Sequence, residues 1–263
     1  MAITKVRLDQ AVTDAGLVES RSRARAMILA GDVLVNGTAV LQAGKPVGPM
    51  DIVVLKTKPK FVSRGGDKLD HALSAFDLEV SGFRCADLGA STGGFTDCLL
   101  KRGVAHVTAI DVGYGQIDVR LRDDDRVSVV ERVNVRYPQD DLRGLDLVVI
   151  DVSFISLNLI FPTTVAALRD GGWCVPLIKP QFEVGKGEVG KGGVVRDSAT
   201  HRAVVEHVLD EAASHGLHAV DLTRSPVIGP AGNVEFLGLL RLGLEGGSTD
   251  RAILLEHASF ADV

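Results

Sequence analysis

The sequence predicts an α/β fold, a mostly parallel sheet that ends in an antiparallel pair, preceded by a small α+β domain. Three observations carry this. From Phe83 onward, strand-like and helical stretches alternate: FRCADLGA, GFTDCLLKRG, HVTAIDVG, VSVVERV, LDLVVIDVSF, LNLIFPTTVAALRD, WCVPLIKP, HRAVVEHVLDEAASHG, LHAVDLTRSP and VEFLGLLRL. Seven of these read as strands, and helical connections between the first five imply a parallel sheet covered on both faces. The last two strands are joined by the short loop IGPAGN, which favours an antiparallel pair at one edge. Before residue 60 the pattern differs, and so does the charge.

In the first segment Leu8, Val12 and Ala15 fall at helical spacing and Gly16 stops the helix. Ser20 caps a second helix, SRSRARAMILA, which ends at Gly31. DVLVNGTAV then alternates and turns on Asn36-Gly37, a strong hairpin signal. Arg21, Arg23 and Arg25 face solvent at the start of the second helix while Ala24, Met27 and Ile28 can pack. Through residue 60, nine Lys and Arg stand against five Asp and Glu; with a net charge of −5 for the chain, this leaves +4 here and −9 in the remainder. A basic small domain on an acidic body suggests an anionic partner. Two short helices, arginines on the second, then GDVLVNG and DIVVL resemble the S4 RNA-binding domain over residues 5–58. That resemblance implies that Arg21, Arg23 and Arg25 meet RNA phosphate, which supplies affinity and position without reading sequence.

KTKPKFVSRGG has linker composition, and the helix DKLDHALSAF follows it. The expected organisation is a small domain at 1–59, a linker at 60–66, the α/β domain at 67–245 and a tail at 246–263 with at most one short helix.

Asp87 to Asp97, DLGASTGGFTD, runs from an apolar strand through a glycine-rich turn into a helix, and Asp111 ends the next strand. Such a turn forms a nucleotide-type pocket in the crevice at the strand ends. Thr92 suits the helix cap. A phosphate-binding P-loop would need a lysine that Gly89 to Phe95 lacks. The dinucleotide fingerprint G-x-G-x-x-G would need glycine at Ser91. The pattern D-x-G-x-x-x-G-G-F with an acid ending the second strand resembles the class I S-adenosylmethionine-dependent methyltransferases, whose Rossmann-like fold has a seven-stranded sheet with a terminal antiparallel hairpin. The resemblance implies S-adenosylmethionine as cofactor. Gly89, Ser91 and Gly93 would pass its methionine part, Gly94 and Phe95 continue the same turn, and Asp111 would accept from its ribose hydroxyls. Asn134 lies where the family contacts adenine and equally suits a turn.

Lys68 precedes the first strand of this domain, Asp151 ends the fourth, Lys179 ends the fifth and Glu235 opens the last, so all four share one rim of the sheet. Singly, Lys68 suits an exposed helix turn, Asp151 a cap for a helix near Ser156, and Glu235 an edge-strand charge. Together, K-D-K-E in this order resembles the tetrad of FtsJ-like ribose 2′-O-methyltransferases. With SRGGDKL, DVSFIS, KPQFEVGKGEVGKGGVVRD and GNVEF around these residues, behind an S4-like domain, the chain resembles the TlyA family, haemolysin-named ribosomal RNA cytidine 2′-O-methyltransferases. The resemblance implies methylation of a cytidine in 23S RNA of the 50S subunit, some members also modifying 16S RNA of the 30S subunit. Lys179 would sit at the 2′-hydroxyl, either as base or as a cation stabilising the alkoxide while Asp151 takes the proton. Lys68 and Glu235 would orient the pair.

Two readings stay open for the loop Glu183 to Gly193: a surface loop, or one that orders over RNA with Lys186 and Lys191 on phosphate. Phe154, Phe182 and Arg64 can stack on a base drawn from its helix, or the phenylalanines can pack in the core. Where the dual-target members carry R-x-W-V before SRG, this chain has PKFV. Cys85, Cys98 and Cys174 are widely spaced, without metal-ligand patterning, and read as buried thiols. There is no apolar run of 18 residues or more and no basic-then-apolar start, so a cytoplasmic monomer off the membrane is expected. A pore-forming cytolysin and a non-catalytic RNA-binding protein are the alternatives.

Overall fold

A computed structural model describes residues 5–56, 59–137, 139, 142–185, 190, 192–243 and 249–260. The chain divides into two compact units, Met1–Pro59 and Lys60–Val263.

The first unit contains β1 (Val6–Arg7), α1 (Leu8–Asp14), α2 (Arg21–Leu29), β2 (Val33–Val35), β3 (Thr38–Ala39), β4 (Pro46–Val47) and β5 (Val53–Leu55). Leu8 and Val12 of α1 and Ala24 and Ile28 of α2, each pair four residues apart, are fully buried against Val33. Ala15, three residues after Val12, is exposed because α1 has already ended: it is the C-cap, and Gly16 turns the chain at φ 67°. Ser20 caps α2 by accepting from the Arg23 amide. Asn36 (φ 52°) and Gly37 (φ 80°) are both left-handed, as a two-residue type I′ hairpin requires, and join β2 to β3.

The second unit contains α3 (Arg64–Ala75), β6 (Arg84–Leu88), α4 (Gly94–Lys101), β7 (His106–Asp111), α5 (Val119–Arg122), β8 (Val127–Glu131), β9 (Leu145–Ile150), a 3-10 turn (Leu157–Leu159), α6 (Phe161–Ala167), β10 (Leu168–Ile178), α7 (Pro180–Glu183), α8 (Ser198–Ser214), β11 (Leu217–Arg224), β12 (Phe236–Leu242) and α9 (Arg251–His257). Its seven-stranded sheet runs β11-β12-β10-β9-β6-β7-β8. β6 to β10 pair in parallel, whereas β12 is antiparallel to both β10 and β11. The last strand thus does not lie at the edge; it slots between two earlier ones. Alternation sorts the core. Val148 and Ile150 of β9 join Phe161, Val205 and Leu209 on one face, while Leu147 and Val149 join Leu69, Leu73 and Leu99 on the other.

The stretch expected to be a linker, residues 60–66, is packed onto this unit, and α3 begins inside it. Phe61 is only 3 % exposed, and the ammonium groups of Lys60 and Lys101 each lie 5.0 Å from its ring centre. Gly66 permits this, since a Cβ there would stand 2.3 Å from Phe61. The two glycines that suggested a flexible joint lie instead in the first turn of a helix, where Gly66 allows close packing.

Candidate active site

The glycine-rich turn leaves β6 at the carboxyl rim of the sheet. Gly89 has φ 89°, and a Cβ on it would lie 2.7 Å from the carbonyl oxygen of Asp151, so strand ends β6 and β9 can approach only because it is glycine. Ser91 is left-handed at φ 48°, although it is no glycine, and its amide donates to Asp111 Oδ2 at 2.8 Å. Asp111 Oδ1 accepts from the Gly113 amide at 2.6 Å, so one carboxylate fixes both loops. Gly93 (φ 92°) is the N-cap of α4, so the cap expected at Thr92 is not formed; the helix instead starts on Gly94 and buries Phe95. Asn134 is exposed and accepts from the Arg136 amide at 3.0 Å, a turn contact.

Beneath the turn, Asp87 is completely buried. Its Oδ2 accepts from the Thr96 amide (3.0 Å) and hydroxyl (2.7 Å), while Oδ1 has no hydrogen-bond partner among the described residues. Burial pushes this carboxyl up to about 7, and the nearby Asp151 and Asp111 charges add to the rise against the Thr96 bonds. Sequence reading missed Asp87 as a site residue, although it begins the motif.

The four rim residues come together as two ion pairs. Lys68, on the first turns of α3, pairs with Glu235, and both are buried (8 % and 2 % exposed). Gly229 lets the preceding turn wrap that carboxylate, since a Cβ there would be 2.7 Å from Glu235 Oε1. Lys179, immediately after β10, lies 2.6 Å from Asp151 Oδ1 and also donates to the Val152 carbonyl (2.8 Å) and the Ser153 hydroxyl (3.1 Å). Asp151 therefore serves the lysine, while Ser156 itself caps the 3-10 turn.

All four line one cavity of about 580 Å³ together with Asp87, Gly89, Ser91, Gly94 and Phe95. Arg64, Phe154 and Phe182 line it as well. Phe154 is 90 % exposed, so core packing is not its role; its ring centre lies 4.9 Å from that of Phe182. A hollow of this size, with a buried unpartnered acid and glycine-lined backbone at one end, fits an elongated cationic ligand such as S-adenosylmethionine. Among the described residues there is no cluster that would hold a metal ion.

In the first unit Arg21, Arg23 and Arg25 are exposed. Arg21 is tied to Asp9 at 3.3 Å, and so is Arg7 at 3.0 Å, a second arginine that sequence reading passed over. The Arg7 hydrogen bond, ahead of the Arg21 contacts, holds the Asp9 carboxyl down at about 2. Lys186 and Lys191 lie outside the described residues. The three cysteines are buried and free.

Residues 61–242 match the family model described as FtsJ-like methyltransferase, and residues 6–53 match the S4 domain. The chain is similar to the 16S/23S rRNA (cytidine-2′-O)-methyltransferase TlyA of Mycobacterium tuberculosis, 45 % identical over 95 % of this chain and 92 % of that protein. It is 40 % identical to Hemolysin A of Brachyspira hyodysenteriae, over 88 % of this chain and 98 % of the other. A solved structure of a protein titled hemolysin, from Streptococcus thermophilus, superposes with a TM-score of 0.74 at 40 % identity, covering 97 % of this chain and 95 % of that one.

Proposed function

This chain belongs to the FtsJ-like methyltransferase family and carries an S4 domain ahead of the catalytic one, and from that premise we propose that it methylates the 2′-hydroxyl of a cytidine in ribosomal RNA. When bound, S-adenosylmethionine supplies an activated sulfonium methyl. Asp87 and the turn from Gly89 to Gly94 would hold its amino-acid end, and Asp111 its ribose. The hydroxyl is a weak nucleophile, so the remaining residues must align it and manage one proton.

The observation that carries this reading is the pair of lysine–carboxylate contacts on the rim beside the glycine turn. Lys179 Nζ is paired with the Asp151 carboxylate and donates to the Val152 carbonyl and the Ser153 hydroxyl, an oxygen-rich setting that suits a cation. This favours the version in which Lys179 stabilises the forming alkoxide and Asp151 receives or relays the proton. Lys68 and Glu235 orient the rim. Phe154 and Phe182 give a flipped cytosine a stacking face, and Arg64 adds charge beside it. The arginines Arg7, Arg21, Arg23 and Arg25 anchor RNA phosphate.

The relative from M. tuberculosis is named for both 16S and 23S RNA, so we assign both the 50S and the 30S subunit as substrates of a monomer. Incubating purified protein and labelled S-adenosylmethionine with unmodified 50S and 30S subunits, then mapping the label, tests the assignment. Label at a cytidine ribose in both subunits supports it; label in one alone overturns the dual assignment, and no label in either overturns the methyltransferase reading. The hemolysin names raise a lytic alternative, yet no helix among the described residues is long and apolar enough to cross a membrane. Dye release from liposomes by the protein without cofactor would support that alternative.

A further inference from the structure

Phe154 does not hold its position by itself. It combines a left-handed backbone (φ 64°), which a bulky residue rarely adopts, with a ring that is 90 % exposed. Such a residue stays in place only where its surroundings fix it. The segment Asp151 to Leu157 is fastened at two points, both from Lys179 to Glu183. At the front, Lys179 holds Asp151, Val152 and Ser153. At the back, Glu183 Oε2 accepts from the Ser156 hydroxyl at 2.7 Å and Oε1 from the Leu157 amide at 3.0 Å. Between the two fastenings the chain arches, and the Phe154 ring meets Phe182.

We infer that Glu183 is a positioning residue for the acceptor base: it touches neither reacting group, but it clamps the far end of the arch and so presents Phe154 to the substrate. The inference rests on the reading of Phe154 as the stacking face. Glu183 is a half-buried carboxylate used twice, on a backbone amide and on a hydroxyl, and both bonds cross more than 25 residues of sequence. A carboxylate spent this way fixes geometry at long range. A glutamine in its place can keep the Leu157 amide on its oxygen and turn its N–H to Ser156 Oγ, but it removes the charge that strengthens both bonds, so both fastenings weaken with nearly the same side-chain volume. The Phe182 ring follows from the same clamp, because Phe182 and Glu183 belong to one short helix turn.

A double-mutant cycle on 50S substrate tests this with Glu183→Gln and Phe154→Ala. Phe154→Ala is expected to lower kcat/KM for RNA about tenfold, the range of a lost base stack. Glu183→Gln alone is expected to lower it about fivefold, with S-adenosylmethionine affinity and thermal midpoint near those of the wild type, and to cost less than about twofold once Phe154 is already alanine. Equal losses from Glu183→Gln in both backgrounds would show that Glu183 does not act through Phe154. Unchanged RNA kinetics in Phe154→Ala would instead overturn the stacking reading on which the inference rests. Should Glu183→Gln lower the thermal midpoint, Ser156→Ala, which removes one clamp donor, supplies the second arm with the same expected non-additivity; additivity there too refutes the inference.

Discussion

Two lysine–carboxylate pairs occupy the same rim, and they are built differently. Lys68 and Glu235 are both almost wholly buried at the cavity wall, joined across 167 residues of sequence, and wrapped by a turn that only glycine permits. Lys179 is as buried as Lys68, but its partner Asp151 keeps 25 % of its side chain open to the cavity. The same chemical pairing thus performs two tasks. A closed pair can hold the rim in register; an open one can exchange a contact for a substrate oxygen.

The largest expected effect lies in the open pair. Lys179→Ala should lower methyl transfer about 10³-fold in single-turnover assays while cofactor affinity by calorimetry shifts less than about twofold. Near-normal turnover would erase the distinction between the pairs. In the closed pair the damage should appear as stability. Lys68→Ala strands a buried carboxylate and is expected to cost about 3–5 kcal/mol in urea unfolding, whereas the double change Lys68→Met, Glu235→Leu should recover most stability and no activity. A stable Lys68→Ala protein would mean that the pair is not buried in solution.

Asp87 sharpens the comparison because it is a carboxylate sealed without any cation. Its folded-state value of about 7 lies above the ordinary 3.8, so the stability linked to its neutral form is complete below that ordinary value and is lost as pH rises through about 7. Asp87→Asn should therefore unfold at higher urea than the wild type at pH 8 and match it near pH 4, while binding S-adenosylmethionine more weakly. Equal curves at pH 8 would show that the buried carboxyl carries no charge penalty. The smallest effect is expected at Asp9, where two exposed arginines converge on one buried acid. Arg21→Ala should weaken RNA binding severalfold and lower the slope of log affinity against log salt by about 1.

Much of this was legible because strand ends are legible. Asp151 and Lys179 directly follow the parallel strands β9 and β10, and Glu235 heads the antiparallel β12, so topology brings these ends to one rim, while Lys68 reaches it from helix α3. Conformation was less readable than identity. Ser91 was weighed as the residue that spoils a glycine fingerprint, yet it takes the left-handed turn because Asp111 accepts from its amide. Gly65 and Gly66 read as a joint and proved to be helix, and at Gly66 the missing Cβ serves close packing rather than freedom. Arg7 was hidden because its relevance depends on Asp9, two positions away in sequence but shared with Arg21 only in the fold. Nothing local marks Phe154 as strained or Glu183 as its clamp, because both follow from contacts between two rim segments.

The placement of β12 has a bearing on synthesis. A strand that enters between two others cannot be added at the margin of a finished sheet: β10 and β11 must remain apart, or open again, until residues 236–242 arrive. Glu235 stands at the head of that strand and is the last of the four rim residues to leave the ribosome. A nascent chain can already have its glycine turn and Lys179 while Lys68 still lacks its counter-ion. The four-residue rim is thus complete only once the closing strand is in place, beside the very machine whose RNA the chain is built to modify.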